Sequence, residues 1–279
     1  MVISLLPSRP VVRHERIPVL PSGHRDIRIL HFSDLHLTRR EGRAIAWLRS
    51  LAALEPDLVI STGDHLAADN AVPLTLAALE GLLDRPGAFV FGSNDYYAPT
   101  FKSPHHYLKA ERGTSASTPP ELPWRDLAEQ FEERGWINLT HQRRTLTIHD
   151  TEIELRGTDD AHLGRDDYSQ VAGPSTAPLT IGVTHAPYLR LLHAMNHDGV
   201  DLILAGHTHG GQWRLPWPTP RSSRALVTNC DLPTDKARGL SRIGSTWLHV
   251  SAGVGASPYA PLRIACPPEV SLLTLTSSR

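Results

Sequence analysis

The chain is poor in several things that would settle its class at once. It has only two cysteines, Cys230 and Cys266, too few for a disulfide framework or a thiolate zinc cluster. A reducing, cytoplasmic setting is therefore expected. No stretch reaches about 18 uninterrupted apolar residues, and the apolar opening Met1–Leu6 is too short for a signal h-region or a span. A transmembrane segment is not expected; peripheral contact with a membrane stays open. Charge of one sign is lacking too: the net charge is −1 over 279 residues. No global field favours nucleic acid, so any affinity for phosphate must come from a local site. Lysine occurs three times, at Lys102, Lys109 and Lys236, and carries no function in this reading.

Histidine, by contrast, is abundant, with 16 residues. Imidazole is the commonest metal ligand. Hydrophobic residues at 40% and charged residues at 20% describe an ordinary globular chain.

Residues 1–26 read as an extended, proline-rich lead-in to a single domain over 27–279. From Ile27 the pattern alternates. Ile27–Phe32, Asp57–Ser61 and Ala88–Phe91 read as buried strands. Glu41–Leu54 and Leu74–Leu83 have helical spacing. Residues 98–123 form an insert without evident structure, and such long loops are usually functional or disordered. Trp124–Arg134 reads as an amphipathic helix. Arg144–Ile148 and Glu152–Gly157 read as a hairpin. Leu179–Val183 and Asp201–Leu204 read as strands around a helix near Tyr188–Asn196, and the remainder is strand-rich.

Polar clusters sit where these strands end: Asp34-Leu35-His36, Gly63-Asp64-His65, Gly92-Ser93-Asn94-Asp95, Thr184-His185 and Gly206-His207-Thr208-His209-Gly210-Gly211. The carboxyl ends of strands are where α/β sheets place their sites. In an extended segment residues i and i+2 face the same way, so Asp34 with His36, and His207 with His209, can reach one ion together. Mixed carboxylate, imidazole and amide donors suit manganese, iron or zinc better than magnesium or calcium. Taken singly, an Asp-x-His or a Gly-Asp is usually a cap or a turn. Five such elements, each after a strand, have no packing purpose. His105, His106, His141, His149, His162, His193 and His197 lack that context and read as surface or core residues.

The order of these motifs resembles the calcineurin-like metallophosphoesterase superfamily. Ser33-Asp34-Leu35-His36 with Gly206-His207-Thr208-His209-Gly210-Gly211-Gln212 is similar to its bacterial branch of small phosphodiesterases, some acting on lipid-linked substrates. The likeness runs from about Ile27 to Leu275. It implies a four-layer α/β/β/α sandwich of two mixed sheets flanked by helices. It implies two divalent cations, one on Asp34, His36 and His209, the other on Asn94, His185 and His207, bridged by Asp64. It further implies hydrolysis of a phosphate ester by a metal-bridging hydroxide, with a small-molecule or lipid-linked diester or pyrophosphate as substrate.

The chain departs from the family at one place. The family usually has Gly-Asn-His-Asp or Gly-Asn-His-Glu after the third strand, the Asn binding metal and the His donating a proton. Here Gly92-Ser93-Asn94-Asp95 allows Ser93 or, through a one-residue bulge, Asn94 as ligand; an amide oxygen is the better donor. The histidine acid is missing on either reading. Asp95, His65 or a water is left to replace it, and a good leaving group would need no acid at all. A non-catalytic scaffold of the same fold is the alternative. A metallo-β-lactamase-type hydrolase would need a His-x-His-x-Asp-His run that is absent.

Overall fold

The computed structural model describes residues 10–38, 42–99, 119–215, 224–259 and 262–277. Its first sheet is built from β1 (Val11–Leu20), β2 (Ile27–Phe32), β3 (Leu58–Ser61), β4 (Gly87–Phe89), β5 (Ile137–Asn138) and β14 (Glu269–Ser277). The second contains β6 (Gln142–Ile148), β7 (Thr151–Gly157), β8 (Leu179–Val183), β9 (Leu202–Ala205), β12 (Gly239–Ile243) and β13 (Thr246–Val250). A short pair, β10 (Arg214–Leu215) and β11 (Arg224–Ala225), stands apart. The helices are α1 (Gly42–Ser50), α2 (Val72–Leu79), α3 (Ser93–Tyr96), α4 (Trp124–Glu133) and α5 (Leu189–His197).

The first sheet has the order β1-β14-β2-β3-β4-β5, and the second β12-β13-β9-β8-β7-β6. Both are mixed. β2 to β5 run parallel, while β14 is antiparallel to β2. β7, β8, β9 and β13 run parallel, with antiparallel β6 and β12 at the two edges.

Strand alternation decides what each face buries. On β2, Ile27 and Ile29 turn toward the second sheet and pack with Ile181 of β8 and Leu204 of β9. Leu30 and Phe32 turn outward onto Leu48 of α1, Leu79 of α2 and Phe131 of α4. On the far side, Ile203 and Leu248 meet Leu191, Leu192 and Met195 of α5. The result is the expected α/β/β/α layering. Fully burying a side chain of this size contributes about 1.5–3 kcal/mol, so the three apolar layers dominate stability.

Three local outcomes differ from the sequence reading. Residues 11–20, read as lead-in, form a strand paired along β14, with Ile17 and Leu20 buried. Pro18 hid it, because proline cannot donate to a ladder; β1 tolerates it as an edge strand with a shift in register after Pro18. The first helix stops at Ser50 and tightens into a 3₁₀ turn over Leu51–Leu54, closed by Glu55 at φ 45°. α2 begins at Val72 with Pro73 in its first turn, where a missing N–H costs nothing. Most of the 98–123 insert lies outside the described residues. Its ends are pinned together, Ala98 donating to the Pro120 carbonyl at 2.8 Å and Leu122 to that of Tyr96 at 2.9 Å. Among the described residues no helix is long and apolar enough to cross a membrane.

Candidate metal centre

The loops that follow β2 and β3 run side by side beyond the sheet. Asp34 N–H donates to the Gly63 carbonyl at 2.9 Å, His36 to Asp64 at 3.1 Å and Leu37 to His65 at 3.2 Å. This ladder carries Asp34, His36 and Asp64 to one place. The extended-chain argument for the two Asp/His-x-His pairs does not hold, however. Asp34, His36, Asp64, His207 and His209 all have positive φ, at 52°, 43°, 57°, 68° and 48°. Left-handed backbone costs an L-residue roughly 1–2 kcal/mol, and Asp and His are among the side chains that tolerate it. These pairs therefore converge through a winding loop, and the strain collects where the site is.

Two compact groups result: Asp34 with His36 and His209, and Asp34 with Asp64 and His185. Asp64 Oδ2 lies 3.5 Å from His36 Nε2 and 3.5 Å from His185 Nε2. Asp34 Oδ1 lies 3.6 Å from His209 Nε2 and 3.9 Å from His36 Nε2. Asn94 meets the same carboxylate: its backbone N–H donates to Asp64 Oδ1 at 2.8 Å and its amide to Oδ2 at 2.7 Å. A half-turn of that amide would present its oxygen at the same point. Asn94, not Ser93, is thus the residue whose side chain reaches Asp64. His207 stands next to the second group. Its ring lies edge-on to His185 at 5.2 Å, its Nε2 is 3.2 Å from the Asn229 carbonyl, and its backbone donates to Asp34 Oδ2 at 3.0 Å.

The donor set fits a cation. Asp34 Oδ1, both ring nitrogens of His36 and Nε2 of His185 are buried without a hydrogen-bond partner. Stranded polar atoms are expensive in a folded protein unless something completes them. His185 Nδ1 donates to the Thr62 carbonyl at 2.7 Å, so Nε2, beside Asp64, is the nitrogen that would ligate once the ring gives up its second proton. His209 is arranged differently. Arg263 donates to its Nδ1 at 3.2 Å, so the neutral ring keeps its proton on Nε2, facing Asp34. Binding a cation through Nε2 requires that contact to lengthen. Space is kept by glycine: a Cβ at Gly92 would overlap Asp64 Oδ1 and touch His185, and one at Gly206 would overlap Ser33 Oγ.

Electrostatics separate the two carboxylates. Burial is the largest influence on Asp64, but His185, then His36 and the Asn94 amide, outweigh it and hold the acid well below its usual range. At Asp34 burial prevails and the carboxyl is raised. Burial opposes the charge on His185 as well, yet Asp64, Asp34 and Asp160 raise it well above an ordinary histidine. Burial, His36 and Arg263 hold His209 low. Asp160, in the loop after β7, is pushed up by burial to about 7.

The two residues expected to replace the missing histidine acid are engaged elsewhere. Asp95 is fully buried. Its Oδ2 accepts the backbone N–H of Asp64 at 2.8 Å and of Gly92 at 3.0 Å; its Oδ1 accepts those of His65 at 2.7 Å and Leu66 at 3.2 Å. A carboxylate holding four N–H groups is an acceptor, not a proton donor. His65 turns away into the helix layer, with Nδ1 on Asp95 at 3.2 Å, Nε2 on Ser61 Oγ at 2.6 Å and its ring against Phe131. Both brace the β3 loop, with their polar atoms engaged there. Two further aspartates, Asp57 and Asp201, precede β3 and β9, at the strand ends opposite the site. They hold Arg28 N–H and Thr180 N–H there, each at 2.8 Å. Arg263 and Asn229 were missed, since each lies more than twenty residues from the histidine it touches and no local pattern marks it.

Comparison with known proteins gives the family. The family model described as calcineurin-like phosphoesterase matches residues 27–211. An uncharacterized metallophosphoesterase, YkuE of Bacillus subtilis, is 26% identical over 93% of this chain and 82% of its own length. The phosphodiesterase YaeI of Escherichia coli is 26% identical over 95% of this chain and 87% of its own. The UDP-2,3-diacylglucosamine pyrophosphatase LpxG of Chlamydia muridarum is 23% identical over 92% and 86%.

Proposed function

The chain belongs to the calcineurin-like phosphoesterase family and is a hydrolase of phosphate esters; on that premise we propose that it is a two-cation phosphodiesterase or pyrophosphate-cleaving enzyme. Asp34, His36 and His209 would hold one ion, and Asn94, His185 and His207 the other, with Asp64 shared. When bound, such a pair supplies charge for a phosphoryl oxygen and a water of lowered pKa as nucleophile. The single observation that carries this reading is Asp64 Oδ2, set 3.5 Å from each of two imidazole nitrogens belonging to the two ligand sets. Manganese, iron and zinc are the metals its mixed donors suit.

The chain's own residues do the rest. Asp64, held ionised by His185 and His36, is ready to ligate at neutral pH. Thr62 orients His185, and Asp95 fixes the loop that carries Asp64. With Asp95 and His65 both engaged, neither protonates a leaving group. That favours leaving groups that depart without a proton, a phosphate of a pyrophosphate or one arm of an activated diester. The names of the Escherichia coli and Chlamydia muridarum relatives point to the same classes. The substrate is thus a small-molecule or lipid-linked phosphate ester.

The test is metal analysis of the purified chain, with a diester, a pyrophosphate and an alkyl monoester assayed on the same preparation. Close to two ions per chain and turnover of the first two substrates are expected. One ion at full activity would overturn the two-cation reading, and monoester turnover equal to the others would overturn the preference. Bound metal without turnover of any ester would return the molecule to the scaffold reading.

A further inference from the structure

Seven large apolar side chains are exposed among the described residues, and five of them lie on one small sheet beside the metal centre. β10 starts five residues after His209. Trp213 pairs in parallel with Ile264, and Arg214 pairs with Ala225 of β11. Arg214 N–H donates to the Ile264 carbonyl at 3.0 Å, and Leu226 N–H to that of Trp213 at 3.1 Å. Trp213 Nε1 and Gln212 Nε2 both reach the Leu262 carbonyl at 3.0 Å. Residues 262–264, 212–215 and 224–226 are therefore one three-stranded unit.

Its polarity is the reverse of an ordinary surface sheet, which turns apolar residues in and polar ones out. The inner face carries Arg214, 7% exposed and bonded to the Gly210 carbonyl, Ala225, and Arg263, which reaches His209. The outer face carries Trp213, Leu215, Leu226, Leu262 and Ile264, at 38%, 55%, 51%, 44% and 36% exposure. A register fixed by the buried Arg214 and the half-buried Arg263 leaves those five no route inward. Single exposed leucines are common, but a contiguous apolar patch marks a docking surface.

Charge says what docks. The sequence has no Asp or Glu from 202 to 230 or from 236 to 268, although the whole chain has net charge −1. The charged side chain on the outer face is Arg224, opposite Leu215. Apolar residues led by a tryptophan, edged by arginine and free of acids, suit the interface of an anionic bilayer. We infer that this outer face seats the enzyme on an anionic phospholipid surface, with the metal centre at its margin. The inference deepens the proposed function by making a membrane-resident phosphate ester the substrate within reach.

The experiment is flotation of the manganese-loaded full chain with vesicles of phosphatidylcholine alone or mixed with phosphatidylglycerol. The wild type should float with the mixed vesicles. Leu215→Glu/Leu226→Glu should float at least about tenfold less, and Arg224→Glu should lose the preference for phosphatidylglycerol. Hydrolysis of water-soluble bis(p-nitrophenyl) phosphate and the melting temperature, measured on the same preparations, should stay unchanged and show that the variants fold. A wild type that does not float, or a double variant that floats as well, overturns the inference. So does a dimer in sedimentation velocity that the double variant abolishes, since the face would then meet a second copy. Flotation is read without turnover: a chain that floats but hydrolyses nothing overturns the catalytic reading alone, and one that hydrolyses but does not float overturns this one alone.

Discussion

Asp95 Oδ2 accepts the backbone N–H of Asp64 at 2.8 Å, so the carboxylate that shapes the centre is held by one that does not belong to it. Asp95→Asn exchanges one oxygen for an NH₂ group that faces N–H donors. It should cost on the order of 3 kcal/mol in urea unfolding and weaken metal binding by about 10–100-fold in a metal titration. Unchanged stability would mean that the four backbone contacts contribute nothing.

Asp64 Oδ2 lies 3.5 Å from His36 Nε2 and from His185 Nε2, one histidine of each proposed ligand set. Asp64→Ala should lose metal and turnover together, by more than the about 10–100-fold typical of outer residues. Mass spectrometry of the native protein and a diester assay on one sample decide it. Full activity in this variant would remove Asp64 from the centre.

A leaving-group series should expose the missing acid. A positioned acid typically supplies about 10²–10⁴-fold to a poor leaving group, and Asp95 and His65 are both committed to backbone and hydroxyl partners. Rates on the metal-loaded enzyme should fall steeply as leaving-group pKa rises. A flat dependence would show that some other residue donates the proton.

Acid should unfold the protein through a pair far from the solvent. His31 Nδ1 lies 2.8 Å from His249 Nδ1 between the sheets, and both rings are fully buried. Burial, then each ring's neighbour (His249 for His31, Arg13 for His249), pushes both below the ordinary histidine value, His249 to about 3. The unfolded chain binds these protons near pH 6.5 while the folded one refuses them, so this stability is present above that pH. It is lost as pH falls below it, for His249 down to about 3, at about 1.4 kcal/mol per pH unit for each ring. Urea unfolding between pH 8 and pH 5 should show the slope, and His249→Phe should reduce it. An equal slope in the variant would place the titration elsewhere.

Much of the site and fold was present in the local pattern. Strand and helix periods placed β2, β3, β8 and β9 and the helices between them, and residue identity marked Asp34, His36, Asp64, Asn94, His185, His207 and His209. Those features are local: a period of two or 3.6, and donor atoms a few residues apart. What tertiary structure decided depends on contacts between distant segments. The left-handed turns at five of those seven residues exist because neighbouring loops bond to one another past the ends of the strands. Asp95 became a brace because four backbone N–H groups close around it. β1 is a strand because β14, some 250 residues away, pairs with it despite Pro18. The outer apolar sheet follows from Arg214 and Arg263 turning inward, a choice that a sequence of alternating arginines and apolar residues leaves open until the metal centre is in place beside it.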